Sequence, residues 1–128
     1  MWTQDKLAAK KYRINKIECR AGNGLCETEN VIFSGRNSGY QLINLMYHFG
    51  FKTIVLVGYD MQHDGKSVHW HGNHPKGFGN CESISRFREK FPFLASDLEK
   101  KGIKVLNCTK ETALNCFKKS KLESVFNV

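Results

Sequence analysis

The sequence predicts an α/β fold: a small, mostly parallel sheet with flanking helices, a Rossmann-like half-domain. Three observations carry this prediction. Thr53-Ile54-Val55-Leu56-Val57 is a continuous β-branched and apolar run, the pattern of a strand covered on both faces. Just before it, Leu42, Ile43, Leu45, Met46 and Phe49 recur at helical spacing between the turn residues Ser34-Gly35-Arg36-Asn37-Ser38-Gly39 and a terminating Gly50. Further on, Ile84, Phe87, Phe91, Leu94, Ala95 and Leu98 share one helical face, Gly102 stops the helix, and Ile103-Lys104-Val105-Leu106 reads as another strand. Strands alternating with helices imply parallel pairing with helices on the sheet faces.

Thr3 is the expected cap of a first helix, with Leu7, Ala8 and Tyr12 on its apolar side and Lys6, Lys10 and Lys11 on the other. The residues from Ile14 to Cys19 suggest a short strand, which Ala21-Gly22-Asn23-Gly24 breaks. Val31-Ile32-Phe33 begins the central βαβ unit, which runs through the Gly35–Gly39 turn and the helix to the Thr53 strand. Ligands in such units gather beyond the carboxyl ends of the strands, where the helix amino terminus also points. Met61 to Cys81 is an irregular stretch of a length that is usually functional in a compact domain. Pro92 must kink the following helix or start a new one, and the crossover to the Ile103 strand should be right-handed. Ala113, Leu114 and Phe117 suggest a short helical turn, and Leu122, Val125 and Phe126 a final helix.

The totals fit this reading. A chain of 128 residues with 41% apolar and 25% charged content suits a single domain spanning residues 1–128. No apolar run approaches the roughly 20 residues of a membrane span, and the first residues lack the order of a signal peptide. The five cysteines form no CxxC pair and no even framework, so reduced thiols in a cytoplasmic protein are expected. A net charge of +8 favours acidic partners: phosphorylated small molecules, nucleic acid or an anionic protein surface; it equally suits a solvated basic surface. Without an RNP-like motif, a zinc finger or a basic stripe, sequence-specific nucleic-acid binding is not expected.

Three constellations carry chemistry. Arg36, Asn37, Ser38, Gly39 and Tyr40 stand at a helix amino terminus, where free N–H groups, the helix dipole and a guanidinium suit a phosphate or nucleotide; a plain turn capped by Asn37 or Ser38 explains the same residues. Asp60 follows the Thr53 strand, where an acid suits a sugar hydroxyl, a metal, proton transfer or a turn cap. His69, His71 and His74 lie in the run His69-Trp70-His71-Gly72-Asn73-His74-Pro75, with His63 upstream. With Cys81 they form a tetrahedral zinc set by type; singly, any one suits a general base, and a histidine-rich surface loop remains the plain alternative.

The order SGYQLINLMYHFGFKTIVLVGYDMQ, then HWHGNHP, then a helix, then GIKVLNCTKETALNCF resembles the carboxyl-terminal half of bacterial sialyltransferases of glycosyltransferase family 42. It resembles more closely the sialyltransferase-like proteins of phages and prophages, often labelled morphogenetic proteins. The resemblance implies a cytidine-type nucleotide-sugar donor, no required metal, nucleotide contacts at Asn37, Ser38 and Gly39, and a histidine base at His74, with His71 second. By that resemblance the amino-terminal half, which holds much of the nucleotide in that family, is absent, and the chain is expected to be a decayed or repurposed remnant, a fragment completed by a second copy or a protein partner, or a domain that kept only the fold. Three functions follow as expectations: a nucleotide-sugar-binding, glycosyltransferase-like module; a phage assembly or host-interaction protein, virion-associated if so; and a zinc-binding histidine cluster.

Overall fold

A computed structural model describes residues 1–63 and 84–126. The expected class is present: short parallel strands with helices packed against them. Strand β1 (Trp2–Thr3) leads into helix α1 (Lys6–Tyr12) and returns as β2 (Asn15–Lys16), parallel to β1. The cap of α1 is Asp5, not Thr3. The Asp5 carboxylate accepts from the Ala8 amide at 2.8 Å, while Thr3 lies in β1 and its hydroxyl accepts from the Asp5 amide at 3.1 Å. The apolar side expected for α1 is also not buried: Leu7 is 78% and Tyr12 62% exposed. The helix is two turns long and packs on its own small ladder, so spacing alone overstated its anchoring.

Strand β3 (Glu18–Arg20) pairs in parallel with β4 (Val31–Phe33), with Cys19 opposite Ile32. The loop between them is folded inward by helix α2 (Ser38–His48). Tyr40, fully buried, donates from its hydroxyl to the Gly24 carbonyl at 2.7 Å. Asn44, also fully buried, accepts from the Cys26 amide at 3.0 Å and donates to the same Gly24 carbonyl at 3.4 Å. Each of these loop groups would otherwise be a buried orphan, so one turn of α2 satisfies two backbone groups, the Gly24 carbonyl and the Cys26 amide, that have no strand partner.

Phe51 and Lys52 follow the αL residue Gly50 (φ 78°) and lead into β5 (Thr53–Leu56). The strands flanking α2 do not pair with each other as the βαβ reading expected. β4 is only three residues long and its register runs against Glu18–Arg20, while β5 pairs with β6 (Lys104–Asn107), Ile54 opposite Val105. Helix α2 therefore links two ladders. The second expected unit is present in full: between β5 and β6 come α3 (Ile84–Arg88) and α4 (Phe91–Lys100), and Pro92 starts α4 instead of kinking a longer helix.

The expected helical turn around Ala113, Leu114 and Phe117 is an irregular connection that leads to β7 (Lys118–Lys119), parallel to β6. Its anchor is Asn107 at the end of β6, 1% exposed, which donates to the Leu114 carbonyl at 3.2 Å and accepts from the Thr109 amide at 3.1 Å. Leu114 and Phe117 reach the core from this loop, which is why their spacing imitates a helix face. Helix α5 (Leu122–Phe126) ends the described chain. Phe91 centres the core, with Tyr40, Phe117 and Tyr59 edge-on at 5.4, 6.3 and 6.4 Å between ring centroids.

Candidate functional site

All strands within each ladder run parallel, so the carboxyl ends of β5 and β6 open on the same edge. Gly58 (φ 76°) and Met61 (φ 50°) turn the chain there, and the intervening Tyr59 and Asp60 are tied down by the loop after β6. The Tyr59 amide donates to the Thr109 hydroxyl at 2.9 Å, the Thr112 hydroxyl donates to the Tyr59 carbonyl at 2.6 Å, and the Ala113 amide donates to the Asp60 carbonyl at 2.8 Å. Three bonds to two consecutive residues fix the backbone and leave the Asp60 side chain exposed.

From the other side comes the amino terminus of α2. Asn37 caps it, its side-chain oxygen accepting from the Tyr40 amide at 3.0 Å, and Gly39 lies under the Tyr59 ring, whose hydroxyl donates to the Gly39 carbonyl at 3.1 Å. A Cβ at Gly39 would stand 2.7 Å from Tyr59 Cε1, so only glycine permits this approach. The result is a cleft of about 340 Å³ whose walls are Asn37 and Gly39 on one side and Gly58 to Gln62 on the other, with Ile84 at its end. Burial raises the Tyr59 phenol above its ordinary value, so the hydroxyl remains a donor across the neutral range.

The structure thus brings Asn37, Gly39 and Asp60 together. Ser38 is placed elsewhere, in a groove beside Trp2, Thr3 and Gln41. Arg36 (φ 58°) is exposed, and its amide donates to the Ser34 hydroxyl at 3.0 Å in the turn before the helix. Tyr40 is a core residue: burial lifts its phenol to about 12, and its ring faces Phe91, not the cleft. The turn is a capped helix start, with the Asn37 oxygen already engaged, so a ligand would meet backbone N–H groups and the Asn37 amide nitrogen.

His69, His71, His74 and Cys81 lie outside the described residues. Among the described residues, no three His, Cys, Asp or Glu side chains come together as a metal-ligand set. No helix among them is long and apolar enough to cross a membrane. Tyr59 was legible as a neighbour of Asp60 but not as the lid over Gly39; the Gly39-to-Tyr59 approach joins residues twenty positions apart without any periodic signal. No protein-family model, curated protein or solved structure matches this chain.

Proposed function

We propose that the chain is a nucleotide-sugar-binding module of the sialyltransferase-like type. The observation that carries the reading is the meeting of the α2 amino terminus with Asp60 across the Tyr59 ring, in one cleft at the carboxyl edge of β5. Helix amides and the positive end of the helix dipole favour a phosphate there, and an exposed carboxylate opposite them suits a ribose or sugar hydroxyl. In that arrangement a glycosyl donor presents its phosphate to Gly39 and a hydroxyl to Asp60. Transfer itself needs a base for the acceptor hydroxyl, and His74, with His71 second, is the candidate by resemblance.

Calorimetric titration with cytidine mono- and diphosphate tests this. The reading expects saturable binding that weakens at least tenfold in Asp60→Ala. Absence of heat at millimolar ligand contradicts it.

A second reading, an assembly or host-interaction role, is favoured by one observation. Trp2 and Phe49 pair their rings at 5.7 Å beside an apolar groove formed with Ile17, Ile32, Leu42 and Leu45, and Leu42 and Phe49 remain exposed. Sedimentation that shows a dimer abolished by Leu42→Glu would support it, and a clean monomer at high concentration would count against it.

A further inference from the structure

A second pocket opens on the same sheet edge, beyond the carboxyl ends of β6 and β7. Its volume is about 710 Å³, within the range that takes a small ligand. Two loops form it. Thr109 and Lys110 follow β6, and Ser120 and Lys121 follow β7, whose last residue Lys119 also lines the space. Both loops hang on one residue: Asn107 accepts from the Thr109 amide through its side chain at 3.1 Å and from the Ser120 amide through its carbonyl at 3.1 Å. Because Asn107 is buried and also holds the Leu114 carbonyl, the spacing of the two loops is set by the core and not by solvent.

The charged part of the lining is mostly basic, beside the apolar Cys108 and Leu122. Lys110, Lys119 and Lys121 line the pocket from the two loops, all three exposed, and the Lys119 ammonium donates to the Lys110 carbonyl at 3.4 Å. Among the described residues none of the three is in an ion pair, and the pocket lining has a single carboxylate, Glu123. Thr109 and Ser120 also line it, the Thr109 hydroxyl accepting from the Tyr59 amide and the Ser120 hydroxyl reaching the Lys121 carbonyl at 3.5 Å. Three lysines beside one carboxylate leave the lining with a net positive charge, which a multiply charged anion offsets. Ammonium groups with adjacent hydroxyls recognise phosphoryl oxygens as point charges and hydrogen-bond partners.

We propose that this pocket binds a small soluble ligand carrying a diphosphate group. The confinement of the pocket to the two loops after β6 and β7 distinguishes it from a phosphate track along a nucleic acid, which needs an extended basic surface. The pocket is distinct from the Asp60 cleft. Tyr59 lines the cleft, Thr109 lines the pocket, and the hydrogen bond between them divides the two.

The test is titration of the chain with inorganic pyrophosphate at fixed ionic strength. Wild type should bind one equivalent saturably. The variant Lys110→Gln/Lys119→Gln/Lys121→Gln should bind at least tenfold more weakly, whereas the charge-matched control Lys6→Gln/Lys10→Gln/Lys11→Gln in α1 should match wild type. A single Lys121→Glu variant, at an exposed position, repeats the loss with minimal change to the fold. Cytidine monophosphate is titrated into the same pocket triple, where the cleft reading expects wild-type binding, so failure of the cytidine reading and failure of this one are separable. Three results overturn the proposal: no binding at millimolar pyrophosphate; equal weakening in the pocket and control triples; or binding of single-stranded oligonucleotide, sensitive to the pocket triple, without binding of pyrophosphate.

Discussion

Replacing Gly39 by alanine opposes two effects whose sizes can be compared. Alanine in place of glycine within a helix is favourable by about 1 kcal/mol. Against this, the new methyl would stand 2.7 Å from Tyr59 Cε1 and 3.0 Å from Tyr59 Cζ, where carbon atoms prefer separations of about 3.5–4.0 Å. The ring must therefore withdraw by roughly 1 Å. It cannot do so freely, because its backbone is fastened to Thr109 and Thr112 and its edge meets Phe91 at 6.4 Å. Withdrawal stretches the 3.1 Å bond from the Tyr59 hydroxyl to the Gly39 carbonyl, worth about 1 kcal/mol, and overpacking adds about 1–3 kcal/mol. The steric side wins, and Gly39→Ala is expected to destabilise by about 1–3 kcal/mol in urea unfolding followed by circular dichroism. In a Tyr59→Ala background only the 3.0 Å approach to Asn37 Oδ1 remains, so most of the cost should disappear, giving a coupling of about 1 kcal/mol or more in the double-mutant cycle. A stabilising Gly39→Ala, additive with Tyr59→Ala, would refute the close approach from which the cleft is built.

Other outcomes follow from the same contacts. Asn44→Ala orphans the buried Cys26 amide while the Gly24 carbonyl keeps the Tyr40 hydroxyl, so a loss of about 1–3 kcal/mol is expected, and a change below about 0.5 kcal/mol would show another partner for that amide. Asp97 accepts from the Leu25 amide and lies beside Lys100, which holds its carboxyl below the ordinary 3.8; its contribution is present above that value and lost as pH falls through the lower folded one, so acid unfolding of Asp97→Asn should be less steep in this window. Burial raises the Cys116 thiol from 9.0 to about 11, so the unfolded chain loses this proton first and stability should fall as pH rises across that interval. Cys116→Ala should lessen the fall, and alkylation of Cys116 at pH 8 should be much slower in the folded chain than in urea.

What the sequence made legible was what repeats. The spacing of Leu42 to Phe49, the terminating Gly50 and Gly102, the β-branched run of β5 and a break at Pro92, though not whether it kinks or restarts the helix, all declare themselves within a few residues. Lys118–Lys119 could not: two exposed lysines carry no strand period, and they form β7 only because Asn107 folds the preceding loop so that they meet β6. The same residue turned the apparent helical face of Ala113, Leu114 and Phe117 into an irregular connection, since burial can be reached from a pinned loop as well as from a helix. Thr3 and Asp5 are both good caps by type, and the ladder between β1 and β2 decides between them by drawing Thr3 into a strand. In the cleft, chain position at the strand edge sufficed for Asp60 and for Asn37. The opposite directions of Ser38 and Gly39 arise because consecutive helix residues point about 100° apart, so only one of the two can face Asp60.

The most direct test of the central claim is a nuclear magnetic resonance titration of isotope-labelled chain with cytidine monophosphate. Binding at the cleft predicts saturable shifts of the Gly39, Tyr59, Asp60 and Met61 amides, all lost in Gly39→Ala. Unmoved amides at those four positions at millimolar ligand, or shifts confined to Lys110, Ser120 and their neighbours, would contradict the assignment of the nucleotide site to the α2 amino terminus and Asp60.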